Sequence, residues 1–165
     1  MNKKGFLYES GVLALIFVSM VFFAWPGYAQ VSKPIATSDG DNPGLRVEVH
    51  ELKRTGDGML TLKFVMINDS DEEADIEDQF KNHSWSRDRE DVSGVHLIDG
   101  ANKKEYLVVK DSEDNCVCSR NLKRKFEGKS RMNLWAKFPA PPEEVKKITI
   151  VIPHFIPMDG VAIGQ

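Results

Sequence analysis

The residues whose types and spacing could do chemistry are two cysteines and two blocks of charge. Cys116-Val117-Cys118 holds both cysteines of the 165-residue chain. Two thiols one residue apart can close on each other as a disulfide, stay free or link to a partner, or hold a soft metal ion. On an extended strand both side chains share a face with Cα atoms ~6.6 Å apart, at the long edge of disulfide geometry. A bridge therefore needs a bent backbone, and all three fates stay open. Paired thiolates suit Cu(I), and His154 and Met158 offer further donors near the end of the chain. Cys116 and Cys118 are thus the metal candidates, although the pattern implies no metal and no other cofactor.

Charge is laid out in blocks. Residues 69–78 carry seven acids, among them Asp71, Glu72, Glu73 and Asp75, and no cation. Residues 120–131 carry six cations, including Arg120, Lys123, Arg124 and Lys125, against the single acid Glu127. Such blocks form solvated loops, or complementary patches that steer a partner. The acidic block could offer oxygens to Ca²⁺, but it lacks the central glycine and twelfth-position glutamate of an EF-hand loop. Asn68-Asp69-Ser70 and Asn82-His83-Ser84 match the short glycosylation acceptor pattern. No catalytic residues emerge: there is no Gly-x-Ser-x-Gly elbow, His-Glu-x-x-His or phosphate-binding glycine loop, and His50, His83, His96 and His154 are scattered. A non-enzymatic protein is the expectation.

The elements that must position these residues are strands. Leu45, Val47 and Val49 alternate with Arg46, Glu48 and His50, and Leu60, Leu62, Phe64 and Met66 repeat the pattern beyond the turn Thr55-Gly56-Asp57-Gly58. The phase places His50 and His96 on exposed faces. A weak strand is expected within residues 74–80 and a loop from there to Val92. A second hairpin follows, with strands over residues 95–99 and 105–110, and further strands cover residues 133–138 and 147–152 on either side of Pro139-Ala140-Pro141-Pro142. Trp135 is expected to plug the core. About seven short strands without intervening helices predict an all-β, antiparallel, immunoglobulin-like sandwich over residues 45–165.

Ahead of this domain, residues 30–44 contain two prolines and two glycines and read as a flexible linker. Residues 1–29 read as a signal peptide: Lys3 and Lys4, an apolar core over residues 11–24, and small residues up to Ala29. Cleavage there leaves a periplasmic or secreted domain, whereas retention of the signal helix would tether the same domain to a membrane. The whole chain carries −3 and the leader +1, so the remainder carries −4, which argues against nucleic-acid binding.

The runs Arg54-Thr55-Gly56-Asp57-Gly58, Lys103-Lys104-Glu105-Tyr106-Leu107-Val108-Val109 and Leu134-Trp135-Ala136-Lys137-Phe138-Pro139-Ala140-Pro141-Pro142 resemble exported bacterial immunoglobulin-like domains of unassigned function, some fused to OmpA-type domains. The opposed charge blocks and the absence of a catalytic constellation, together with this likeness of fold, lead to the expectation of a cell-envelope module that binds an envelope or secreted protein. The Cys-x-Cys pair on such a domain also resembles the copper-assembly factor of cytochrome oxidase. That family has an aromatic residue after each cysteine, where this chain has Val117 and Ser119.

Overall fold

The structure, a computed structural model, describes residues 33–80 and 90–165. The expected signal peptide, together with His83 and the Asn82 acceptor pattern, lies outside the described residues.

The described residues are all-β, and every strand pair among them is antiparallel. Strands β1 (Ala36–Asp39), β2 (Leu45–Thr55), β3 (Met59–Asn68) and β8 (Ser130–Pro139) form one sheet in the order β1-β2-β3-β8. Strands β5 (His96–Asp99), β6 (Lys104–Leu107), β9 (Lys147–Val151) and β10 (Met158–Ala162) form a second, in the order β10-β9-β5-β6. The short strands β4 (Ala74–Asp75) and β7 (Lys125–Phe126) pair with each other. Apolar side chains of the two large sheets, including Val47, Leu62, Phe64, Phe138, Leu97 and Ile150, share one buried cluster.

Alternation sets which side chains enter that cluster. In β8, Leu134, Ala136 and Phe138 point inward, so Trp135 must point outward and is 39% exposed. The expectation that Trp135 plugs the core is therefore wrong, and its neighbours already set the opposite phase. In β2 the phase itself changes. Register slips between Val49 and Glu51, leaving His50 as a bulge, and burial passes from Leu45, Val47 and Val49 to Leu52. His50 and His96 are mostly buried rather than exposed, each packed beside a glutamate.

Three expectations about the strands change. Part of the expected linker is strand β1, which pairs with β2 from Ala36↔Val49 to Asp39↔Arg46. Its residues are small and polar, so no apolar alternation marks it. Backbone bonds along the open edge of β2 hold it instead, aided by Ser38 Oγ, which donates to Ile156 O at 2.6 Å. The last strand, β10, is hidden by Asp159 and by Gly160, whose φ of +65° accompanies a break in register against β9. The weak strand expected within residues 74–80 shrinks to the two residues of β4.

Candidate functional site

Cys116 and Cys118 are joined to each other, with Cα atoms 5.3 Å apart. The backbone bends to allow it because the segment is held on both sides. Val117 N–H donates to Val109 O at 2.8 Å, Lys137 N–H donates to Val117 O at 3.0 Å and Ser119 N–H donates to Trp135 O at 2.9 Å. The segment thus lies along the outer edge of β8, and both cysteines are buried. Asp91 joins them. It pairs across an isolated bridge with Arg120, and its carboxylate accepts the Ser93 N–H at 2.9 Å. One carboxylate oxygen of Asp91 and both Sγ atoms lie within 4.8 Å of one another, all on buried residues. His154 is not part of this group: its Nδ1 lies 3.5 Å from Asp41 Oδ2. Met158 is buried in β10. Nothing in the local sequence marks Asp91, which reaches the sulfurs only through long-range pairing.

The two charge blocks meet each other. Pairing of β4 with β7 sets Arg124 3.0 Å from both Asp75 and Glu77, and Lys125 3.1 Å from Glu73. Lys129 reaches Asp71 at 3.4 Å and donates to Asp69 O at 2.6 Å. The Glu77 N–H first, and Arg124 next, hold the Asp75 carboxyl below its usual range, while Asp75 raises the Arg124 guanidinium. These pairs are exposed and screened by solvent, so each contributes little to stability. Their main effect is to cancel the fields that would otherwise face a partner. Glu72, Arg120 and Lys123 are exposed at the surface. Beside the paired blocks, an open cleft of about 370 Å³ is lined by Asp41, Asn42, Asp75, Arg124 and His154 among others.

The outer face of the β1-β2-β3-β8 sheet carries a second ionic network centred on Glu48. Its carboxylate meets Arg46, Arg131 at 2.7 Å and His50 at 3.2 Å. The Arg46 hydrogen bond, followed by those from Arg131 and His50, lowers the Glu48 pKa from 4.5 to about 2. Because the folded pKa is the depressed one, this group stabilises the fold fully above pH 4.5, and the benefit is lost as pH falls toward about 2. Urea melts of wild type and Glu48→Gln across that window should show a smaller acid loss for the variant. Equal losses would mean that the network does not control the titration.

Two further residues lock loops to the sheets without a sequence signal of their own. Arg54 donates to the carbonyls of Pro141, Pro142 and Val145 at 2.5, 2.9 and 3.0 Å, pinning the proline-rich loop. Asn68 is 1% exposed, and its Nδ2 donates to the carbonyls of Glu72, Phe126 and Glu127. That same Nδ2 would carry a glycan, so in the folded chain the acceptor pattern at Asn68 is structurally engaged.

The four sheet edges differ. The edge of β8 is covered by residues 117–119. At β1, Ile156 N–H donates to Asp39 O, and β10 continues into Gly164, which bonds to Leu52 and Arg54 of β2. Among the described residues, no backbone hydrogen bond reaches β6 from the side away from β5. Leu107, 55% exposed, and Ile98, 37% exposed, stand on the outer face beside this open edge. In register terms Leu107 faces His96 and Ile98 faces Glu105, which makes the two apolar residues diagonal neighbours. Comparison of the chain with family models, with curated proteins and with solved structures finds no match in any of the three.

Proposed function

We propose that this chain is an exported, non-enzymatic module with an immunoglobulin-like sandwich fold that binds an extended segment of an envelope or secreted protein along β6. Export rests on the character of residues 1–29, and the immunoglobulin-like reading on the strand pattern and on the resemblance of the runs around Arg54, Lys104 and Trp135. The observation that carries the binding role is the open edge of β6 with Leu107 and Ile98 beside it. An added strand would satisfy the outward N–H and C=O groups of β6, while alternate side chains of the ligand cover Leu107 and Ile98. Charge steering contributes less, because the acidic and basic blocks neutralise each other within the chain.

A displayed library of random peptides tests the reading. Selected ligands should alternate apolar and polar residues, and their affinity should fall by about tenfold or more in Leu107→Lys, the size expected at a binding hot spot. The melting temperature should stay close to wild type, since Leu107 is exposed. Ligands that bind Leu107→Lys as tightly as wild type would exclude the β6 edge.

A further inference from the structure

We infer that Cys116, Cys118 and Asp91 form a redox-gated Zn²⁺ site, closed as the disulfide and opened by reduction. The role is independent of binding at β6. The three groups come from two separate stretches of chain that meet through the Asp91 to Arg120 bridge, so their proximity is built by the fold. Their donor atoms already lie within 4.8 Å of one another. Tetrahedral zinc with sulfur bonds of about 2.3 Å needs sulfurs roughly 3.8 Å apart, which the released thiols reach by side-chain rotation alone on backbones 5.3 Å apart at Cα.

The carboxylate decides which metal. Cu(I) favours sulfur and imidazole donors, whereas Zn²⁺ accepts two thiolates and a carboxylate oxygen, with water completing four-coordination. The imidazole of His154 and the thioether of Met158 are engaged elsewhere, with Asp41 and in the core. Ca²⁺ and Mg²⁺ are disfavoured by the two sulfurs.

Opening requires a reductant, taken here as a protein dithiol. One of its thiolates attacks a sulfur of the bridge and expels the other as a thiolate, forming a mixed disulfide. The second thiol of the reductant then displaces the remaining sulfur. Two electrons and two protons pass to Cys116 and Cys118, and the reductant leaves as a disulfide. Zn²⁺ binding displaces the two thiol protons. Cys116 is itself buried but pairs with Lys110 at the foot of the exposed loop over residues 110–114, so both reagents reach it only as that loop opens.

The full chain, reduced with dithiothreitol and freed of it without oxygen, is titrated with Zn²⁺ against a chromophoric chelator, and with Co²⁺ to read thiolate-to-metal charge transfer. One ion per reduced chain, none per oxidised chain, and a rise in the melting temperature of the reduced chain with Zn²⁺ are expected. Asp91→Asn keeps the acceptor for the Ser93 N–H, so it preserves the local turn while weakening Zn²⁺ by about tenfold or more. Cys118→Ser should abolish the charge-transfer band. Failure of the reduced chain to bind, binding without thermal stabilisation, or wild-type affinity in Asp91→Asn would each overturn the site.

Discussion

Replacing Phe64 with alanine should lower the stability of the domain by about 3–5 kcal/mol, the range for deleting a buried aromatic ring. Phe64 sits mid-strand in β3, opposite Val49 on one side and Leu134 on the other, and is 1% exposed. Its ring meets Phe80 edge to face, with centroids 6.2 Å apart. Val49 and Leu134 belong to strands already fixed by ladder hydrogen bonds, so they can relax little into the space left behind. Against a total of about 5–15 kcal/mol for an ordinary domain, this removes a fifth or more of the margin. In urea the midpoint should fall sharply with the slope unchanged. Trp135→Ala is the informative control. It deletes a larger ring from an exposed position and should cost less than about 1 kcal/mol, whereas equal costs would place Trp135 in the core after all.

Asn68→Leu should cost on the order of 3 kcal/mol, although it keeps the branched outline of the side chain and adds apolar surface. Asn68 Nδ2 donates to the Glu72 carbonyl at 2.8 Å and to those of Phe126 and Glu127 at 3.2 Å. Its Oδ1 accepts from the Ser70 N–H at 3.1 Å and from the Ser70 hydroxyl at 2.7 Å. One amide thus ties the end of β3 to β7 and to the turn that leads into β4. Leucine would remove all of these hydrogen bonds. The Ser70 N–H loses its acceptor, and the Glu72 and Glu127 carbonyls keep only the Ser70 and Ser130 hydroxyls that also donate to them. An unmet polar group costs more than a met one contributes. The loss should be local as well as global. Hydrogen exchange at the amide of Ile76, which donates to Arg124 O across the ribbon, should accelerate in Asn68→Leu beyond what the drop in global stability explains. Uniform acceleration would show that the ribbon is not held through Asn68.

The strands that carry the core were legible because burial imposes a period on the sequence. Leu60, Leu62, Phe64 and Met66 can share a face only on a strand, and the glycine turn before them closes the hairpin, with Gly58 at φ +75°. Where side chains do not report burial, the pattern is silent. Strand β1 is held by backbone bonds on small residues, and the bulge at His50 moves burial by one position without altering composition.

The candidate sites divide along the same line. Sequence alone determined that the chain builds an antiparallel all-β domain, that its two thiols lie one residue apart and that its charges fall into opposed blocks, since each is a property of neighbours along the chain. Only the tertiary structure decided that the blocks neutralise each other across β4 and β7, that Asp91 stands against Cys116 and Cys118, and that β6 is, among the described residues, an unpaired edge beside Leu107. Each of those depends on strand pairing between distant segments, where the energy lies in backbone hydrogen bonds that every residue type can make and no local pattern records.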